Sequence, residues 1–162
     1  YSKIKKALKN FQGVKRRFSV LHQDENNLII DDYAHHPKEI KATLNSLRLV
    51  TKKRIISIFE PHRFSRLSGM FNDFVESFSE SDLVYILPIY SAGEKNNWKI
   101  TSHFFFNSLK NKYKDKYIFL VKDETKFFKD LKDNIFKGDK VIFLGAGSSS
   151  LIANKFKDNF WR

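Results

Sequence analysis

The stretch IIDDYAHHPKEI, residues 29–40, contains the pattern that decides the fold class. It begins as an apolar segment, passes through two acids, a tyrosine and two histidines, and reaches Pro37. Proline suits the first position of a helix, because the N–H that it lacks would have no partner there. Ile40, Leu44 and Leu47 then recur at helical spacing. The stretch therefore predicts a strand, a polar loop and a helix, in that order.

Apolar segments alternate with helical patterns along the rest of the chain. Four further segments have the length of strands: RIISIF (54–59), DLVYILPI (82–89), YIFLV (117–121) and KVIFL (140–144). Each is followed by a segment with helical periodicity: SRLSGMFNDFVESF (65–78), TSHFFFNSLKNKY (101–113), DETKFFKDLKDNIF (123–136) and LIANKFKDNF (151–160). Strands that are apolar on both faces and alternate with helices indicate an α/β protein with a mostly parallel sheet, covered on both sides.

The beginning of the domain has a different pattern. KRRFSVL (15–21) and LIID (28–31) flank the turn-forming residues DENN. Two short strand-like segments joined by such a turn predict a β-hairpin. We therefore expect an N-terminal hairpin that contributes one antiparallel strand to the sheet.

Composition limits the classes to which the chain can belong. Its 162 residues suit a single domain, and 41% apolar residues can fill a sizeable core. The absence of cysteine excludes disulfides and thiolate metal sites and fits a reducing cytoplasm. No apolar run reaches the length of a membrane span, so we expect no membrane partner. The first residues, YSKIKKALKNF, lack the apolar region of a signal peptide and an initiator methionine, so we expect a part of a longer protein.

The net charge of +12 has two explanations. A basic balance is typical of nucleic-acid-binding proteins and of enzymes that handle phosphate. Here the lysines are spread along the whole chain, and the phenylalanines fall on predicted core faces rather than among basic residues on a surface. AT-biased coding would also produce this abundance of Lys, Asn, Ile and Phe. We therefore expect no nucleic-acid partner.

Polar or glycine-containing motifs follow four of the predicted strands. They are DDYAHHP (31–37), EPHRFSR (60–66), YSAGE (90–94) and GAG (145–147). In a parallel α/β sheet, ligands gather at the carboxyl ends of the strands. We therefore expect these motifs to meet at one edge of the sheet and to form the functional site.

His35 and His36 are adjacent, which leaves two interpretations open. One imidazole faces a substrate or phosphate while the other anchors the loop, or both are ordinary surface residues. Adjacent histidines project in different directions, and two-histidine metal sites usually have i,i+4 spacing with further ligands. We therefore expect no metal site in this chain.

His62, Arg63 and Arg66 lie close together after the second of these strands. If a helical turn begins there, the i,i+3 arginines converge on one side and can grip a carboxylate or phosphate through bidentate hydrogen bonds. The alternative is a solvated basic loop, or ion pairs with Glu60 and Glu76.

The GAG turn is an incomplete dinucleotide motif, because Ser150 stands where its third glycine would be and the chain ends before the usual acid. It either brings N–H groups to an anion or is simply a tight turn. No GxxxxGK[ST] or GxSxG motif occurs. The chain therefore offers anion-binding side chains without a phosphate-binding loop, as one wall of a larger site would.

Taken together, GVKRRF, IIDDYAHHPKEIKATL, PHRFSR, IYSAGE and the GAG turn resemble the C-terminal domain of the Mur ligase family, over about Phe11 to Ala153. The resemblance implies a Rossmann-like, mostly parallel sheet with helices on both faces. It implies that residues 1–162 are the C-terminal domain of a three-domain enzyme of the bacterial cytoplasm. The N-terminal domain would hold a UDP-sugar, and the central domain would bind ATP and Mg²⁺.

The activity implied by the resemblance is that of an ATP-dependent carbon–nitrogen ligase in peptidoglycan precursor synthesis. ATP would phosphorylate the lactyl carboxylate of UDP-N-acetylmuramate, and the amine of L-alanine would attack the resulting acyl phosphate. The domain alone would be inactive. A recycling ligase that attaches murein tripeptide to the same sugar has similar motifs and remains an alternative. A freestanding binding domain without catalysis is a second alternative.

The resemblance also implies roles for individual residues. Arg17 would contact the nucleotide, and Asp32 would accept hydrogen bonds from the ribose hydroxyls. The substrate-binding residues would line the pocket for alanine and the acyl phosphate: Tyr33, His35, His62, Arg63 and Arg66. Of these, His35 and Arg63 would be catalytic.

The sequence departs from the family's pattern at four positions. Lys38 and Leu67 stand where threonine is usual, Glu60 replaces a glutamine, and Ser148 replaces an aspartate. None of these changes removes a residue with an implied role. Ser148 weakens the expectation that the GAG turn makes a specific polar contact.

Overall fold

A computed structural model of the chain describes residues 16–160. Its strands are β1 (Ser19–Gln23), β2 (Leu28–Asp32), β3 (Ile55–Phe59), β4 (Leu83–Ile86), β5 (Tyr117–Leu120) and β6 (Lys140–Leu144). Its helices are α1 (Pro37–Val50), α2 (Phe64–Gly69), α3 (Phe71–Glu76), α4 (Ser102–Lys112), α5 (Glu124–Asn134) and α6 (Ser149–Phe160). The N-terminal YSKIKKALKNF segment, for which we predict no signal peptide, lies outside the described residues.

The six strands form one sheet in the order β1-β2-β6-β3-β4-β5. β1 pairs with β2 in antiparallel orientation, and the other neighbouring strands are parallel. The predicted fold class, a mostly parallel sheet with an N-terminal hairpin, is confirmed.

Helix α1 begins as its sequence predicts. His36 is the N-cap residue, its Nδ1 accepts the N–H of Lys38, and Pro37 opens the helix. The Glu39 side chain closes the capping box, because its Oε2 accepts the N–H of His36 at 3.2 Å. A helix start fixed in this way holds the preceding polar loop in a defined position.

The sheet buries side chains on both faces. On one face α1, α3 and α4 cover a core that includes Leu44, Phe59 and Phe105. On the other face α5 and α6 cover a core that includes Ile58 and Phe156. Because neighbouring residues of a strand point to opposite faces, the described residues form a buried core on each side of the sheet.

The predicted helix over residues 65–78 is wrong as a single element. The structure has two short helices, α2 and α3, separated at Met70, whose φ of −127° and ψ of 33° are not helical. Gly69 precedes the break, and glycine stabilises a helix less than other residues do. Phe74 nevertheless reaches the core, as its periodicity predicts.

The ends of two strands also differ from the sequence-based expectation. β4 ends at Ile86 rather than at residue 89, and Pro88, which follows, has no N–H to continue the ladder. β5 is an edge strand, and its Tyr117 is 68% exposed, so this strand is not apolar on both faces. Within residues 16–160, no helix has the length and apolarity needed to cross a lipid bilayer.

Candidate functional site

The carboxyl ends of four parallel strands lie at one level. In the register of the sheet, Leu144 of β6 pairs with Asp32 on one side and with Phe59 on the other, and Phe59 pairs with Ile86. The polar loops that follow these strands therefore leave the sheet at the same edge. This is where we expected the site motifs to meet.

Four aromatic rings form a continuous row along this edge, which we call the ring row: Tyr33, His35, His62 and Tyr90. Tyr33 contacts His35 edge to face, with ring centroids 5.0 Å apart. His35 lies 5.6 Å from His62, and His62 stacks on Tyr90 at 5.3 Å. The row brings together residues from the loops after β2, β3 and β4.

The two adjacent histidines have different partners. His36 caps α1, whereas the Nδ1 of His35 lies 2.8 Å from the carbonyl oxygen of Tyr33, in the ring row. Glu39 holds the loop, since its Oε2 accepts the N–H groups of both His35 and His36. His36 thus anchors the loop and His35 lies in the ring row. That His35 faces a substrate or phosphate stays a prediction.

His62 is held by Arg66. The Nη1 of Arg66 donates to the Nδ1 of His62 at 3.0 Å and to its carbonyl oxygen at 3.3 Å. Burial lowers the pKa of His62 to about 4, together with the electrostatic influence of Arg66, His35 and Arg63. His62 is therefore uncharged at neutral pH.

Arg63 has an unusual backbone conformation. Its φ is +73°, a value that residues with a side chain rarely adopt. Its N–H donates to the carbonyl oxygen of Tyr90 at 2.8 Å, which joins the loop after β3 to the loop after β4. Strain of this kind occurs at functional sites, where the surrounding structure enforces it.

Glu94 is a site residue that the sequence analysis missed. Its carboxylate accepts the N–H of Ser65 at 3.0 Å and the Oγ–H of Ser65 at 2.6 Å, and it lies 4.0 Å from Nη1 of Arg63. The motif YSAGE indicated a functional loop, but no sequence pattern predicted that this acid reaches the start of α2. In the part of the chain that the structure describes, the alternative ion pairs of the arginines with Glu60 and Glu76 are not formed, because Glu60 binds the start of α6 and Glu76 binds Lys112.

The two arginines predicted to converge point to different partners. Arg66 turns back onto His62, whereas the half-exposed side chain of Arg63 lies near Glu94. The i,i+3 spacing of the two arginines did not indicate these separate partners. Arg66 also lies four residues after His62, and it hydrogen-bonds that residue instead. A joint grip on one carboxylate remains a prediction.

The side chain of Asp32 is almost fully buried and binds backbone groups. Its Oδ2 accepts the N–H of Phe18 at 2.7 Å, and its Oδ1 accepts the N–H of Ala34 at 2.8 Å. It therefore ties the loop around Tyr33 to the residues that lead into β1. A hydrogen bond to ribose would have to use the remaining lone pairs of this carboxylate.

Arg16 and Arg17 both lie against the ring of Tyr33 but differ in their other contacts. Nη2 of Arg16 donates to the carbonyl oxygen of Gly145 at 2.7 Å, so this arginine joins the hairpin to the GAG turn. Arg17 has a half-exposed side chain, with its guanidinium carbon 5.6 Å from the ring centre of Tyr33 and Nη1 3.6 Å from Glu39. Of the two, Arg17 is therefore the more accessible to a ligand.

The GAG turn is bound to the exit of β3 by Glu60. The buried carboxylate of Glu60 accepts the N–H and the hydroxyl of Ser148 and the N–H of Ser149. A Cβ atom on Gly147 would overlap the ring of Tyr90 and come within 2.5 Å of Oε2 of Glu60. Glu60 and Ser148, two of the positions that depart from the family's pattern, therefore contact each other.

A cleft of about 410 Å³ opens next to the ring row, on the side of α5 and α6. Its walls include Glu60, Tyr90 and Ser148, and its floor is apolar, with Phe127 and Ile152. Among residues 16–160, no group of three or more histidine and acidic side chains is placed to hold a metal ion.

Comparison with known proteins places this geometry in a family. Residues 16–147 match the model of the Mur ligase glutamate ligase domain. The chain is 42% identical over 156 residues to the UDP-N-acetylmuramate–L-alanine ligase of Rickettsia felis, a match that covers 94% of this chain and 32% of that protein. The chain thus spans about a third of the length of the curated relatives that it matches.

Solved structures show the same fold. The UDP-N-acetylmuramate–alanine ligase of Thermotoga maritima superposes with a TM-score of 0.74 at 27% identity, over 96% of this chain and 32% of that one. A domain of a putative UDP-N-acetylmuramate:L-alanyl-γ-D-glutamyl-diaminopimelate ligase of Haemophilus ducreyi superposes with a TM-score of 0.65 at 20% identity, over 88% of this chain and 98% of that one. With a family model matched across most of its length, the chain belongs to the Mur ligase family.

Proposed function

We propose that this chain is the C-terminal domain of an ATP-dependent ligase that joins L-alanine to UDP-N-acetylmuramate. The support comes from the name of a relative that is 42% identical over 94% of the chain. Because the chain spans a third of such relatives, the UDP-sugar domain and the central ATP-binding domain would lie in the remainder of the protein. Residues 1–162 would form one domain of three, in the bacterial cytoplasm, where both ATP and the UDP-sugar are available.

The observation that carries the proposal is the convergence of the ring row with two arginines at one sheet edge. Acyl transfer from an acyl phosphate needs negative charge stabilised and two substrates oriented in a site that excludes water. We assign the alanine and acyl-phosphate pocket to these side chains: Tyr33, His35, His62, Arg63 and Arg66. His35 and Arg63 would contact the reacting groups.

The nucleotide would lie near Arg17 and Asp32. The half-exposed guanidinium of Arg17 can exchange its contact with Glu39 for a phosphate group, which it would bind with stronger, charge-assisted hydrogen bonds. Asp32 would contribute to the ribose site while it holds the Tyr33 loop. Mg²⁺ would be held by the central domain, since the described residues of this chain provide no group of ligands for it.

The proposed reaction has two steps. A carboxylate oxygen of the sugar attacks the γ-phosphorus of ATP, the bond to the bridging oxygen breaks, and ADP leaves. The nitrogen of L-alanine then attacks the acyl carbon, the carbon–oxygen bond to phosphate breaks, and the amine loses a proton. The cationic side chains of this domain would neutralise the charge that moves through both steps.

The alternative substrate is a murein tripeptide. A tripeptide ligase shares the fold, but the solved domain with such a name is only 20% identical to this chain. The alanine ligase relative is 42% identical. We therefore favour L-alanine as the incoming amine.

The test is an assay of the full-length protein that contains this chain, with phosphate release measured against the concentration of L-alanine. Arg63→Ala should raise the KM for L-alanine at least tenfold, the effect of losing about 1.4 kcal/mol of binding, while the KM for ATP changes little. Lys95→Ala, an exposed residue of a neighbouring loop, is the matched control and should change neither value. Turnover with murein tripeptide but not with L-alanine would overturn the choice of substrate.

A further inference from the structure

The two ring nitrogens of His62 have different surroundings. Nδ1 faces Nη1 of Arg66 at 3.0 Å. Within residues 16–160, no protein group forms a hydrogen bond with Nε2. The ring itself lies between His35 and Tyr90 in the ring row, and it is partly accessible. One nitrogen is thus used inside the protein and the other is left for a ligand.

The partner of Nδ1 fixes where the proton of the ring lies. A guanidinium group only donates hydrogen bonds, so the nitrogen that faces it must be the unprotonated acceptor. A neutral imidazole carries a single proton, which then has to lie on Nε2. A further contact of Arg66 with the carbonyl oxygen of His62, at 3.3 Å, fixes the guanidinium against the histidine.

We infer that Arg66 holds His62 as the Nε2–H tautomer, and that His62 serves the reaction as a neutral hydrogen-bond donor to a negatively charged oxygen of the acyl group. This inference rests on the proposed ligase function and adds a role that the sequence resemblance does not give. It makes His62 a donor rather than a base, and it makes Arg66 a positioning residue.

The charges around His62 favour the neutral ring. Arg66 and Arg63 on the α2 side and His35 from the loop after β2 all disfavour a second proton, whereas Glu94 acts in the opposite direction. Tyr90 stacks on the other side of the ring. Burial acts in the same direction as the cations, and the pKa of His62 is lowered to about 4. The donor form therefore persists through the neutral range.

A neutral donor is suited to the second step of the proposed reaction. When an amine attacks an acyl phosphate, negative charge develops on the carbonyl oxygen, and a preorganised N–H stabilises it. Because His62 has no free lone pair on Nε2, the proton of the amine must go to another acceptor. Arg66 uses Nη1 on His62, so Arg63 is left as the arginine more available to the substrate carboxylate.

The tautomer can be measured without any activity. The chain, labelled with ¹⁵N-histidine, should show for His62 one protonated and one unprotonated ring nitrogen, with no titration between pH 8 and about pH 5.5. The signals are assigned with His62→Gln, and the exposed His103 provides an internal reference. A proton on Nδ1, or a titration of His62 near pH 6.5, would overturn the inference.

The role of Arg66 is tested in the same experiment. In Arg66→Leu the acceptor constraint on Nδ1 is removed, so we expect mixed tautomers and a pKa that moves up toward the usual value for histidine. Unchanged nitrogen shifts in this variant would show that Arg66 does not set the tautomer.

Kinetics of the full-length protein then test whether His62 acts as a hydrogen-bond donor or as a base. His62→Gln keeps an N–H donor and should lower kcat by about tenfold, whereas His62→Leu should lower it by about 10²- to 10³-fold. Equal losses would argue against the donor role. If the protein has no ligase activity but His62 shows the expected tautomer, the proposed function and the donor role fail while the tautomer assignment holds. If it is active and the tautomer differs, only the present inference fails.

Discussion

The carboxylate of Glu60, at the exit of β3, accepts the backbone N–H of Ser149, the first residue of α6, at 3.2 Å. Glu60 is 2% exposed and also accepts the N–H of Ser148 at 3.1 Å. Two N–H groups at the start of a helix therefore have the same buried carboxylate as their hydrogen-bond acceptor.

Replacing this acid should destabilise the chain. Glu60→Ala leaves the two N–H groups without their acceptor, so we expect the free energy of unfolding to fall by about 1–3 kcal/mol in urea denaturation. Glu76→Gln, at an exposed ion pair with Lys112, is the control and should change it by less than about 0.5 kcal/mol. A loss in Glu60→Ala no greater than in the control would show that Glu60 does not hold α6.

Gly147 should not tolerate a side chain. In Gly147→Ala the added Cβ meets the ring of Tyr90 and the carboxylate of Glu60, so we expect a loss of about 1–3 kcal/mol of stability and weaker activity in the full-length protein. The control is Gly69→Ala, where the added atom meets nothing within 4 Å and stability should be unchanged or slightly higher. Equal stability of the two variants in urea would contradict the close approach of Tyr90.

The backbone of Arg63 should favour glycine over alanine. With φ at +73°, Arg63→Gly relieves a strain that Arg63→Ala retains, so the glycine variant should be more stable by about 1–2 kcal/mol in chemical denaturation. The control is the exposed Lys52, whose φ is not positive. There, the alanine variant should be more stable than the glycine variant. A less stable glycine variant at position 63 would mean that the backbone there is not strained.

The low pKa of His62 should make the chain sensitive to acid. The folded state resists a proton down to about pH 4, while the unfolded chain takes it up near pH 6.5, so stability falls as the pH decreases through this window. His62→Gln removes this contribution, and its unfolding free energy should fall less than that of the wild-type chain between pH 7 and pH 5. His103→Gln should behave like the wild type, and a wild-type profile in His62→Gln would refute the assignment.

Much of the fold could be predicted from the sequence because its signals are local. Pro37 and the periodicity of Ile40, Leu44 and Leu47 mark α1 without any knowledge of the tertiary structure, and these three apolar residues are buried as expected. The parallel arrangement then follows from the alternation of apolar strands with helices, and it places the polar loops at one edge.

The details of the site could not be predicted because they depend on contacts between segments distant in the sequence. The spacing of Arg63 and Arg66 indicated a shared direction, but the packing of His62 against Tyr90 sets a different partner for each arginine. Glu94 lies 29 residues from Ser65, and no periodicity connects them. The break at Met70 likewise interrupts a pattern whose apolar spacing looks continuous.

The common level of the strand ends has a mechanical consequence. Asp32, Leu144 and Phe59 are paired neighbours in the parallel strands β2, β6 and β3. A strand that carries a site loop therefore cannot slide without breaking all of its hydrogen bonds to the neighbouring strand. The distances between the loop anchors therefore stay constant while the sheet is intact. Any movement of the loop anchors relative to another part of the protein therefore has to be a displacement of the whole sheet as one rigid body.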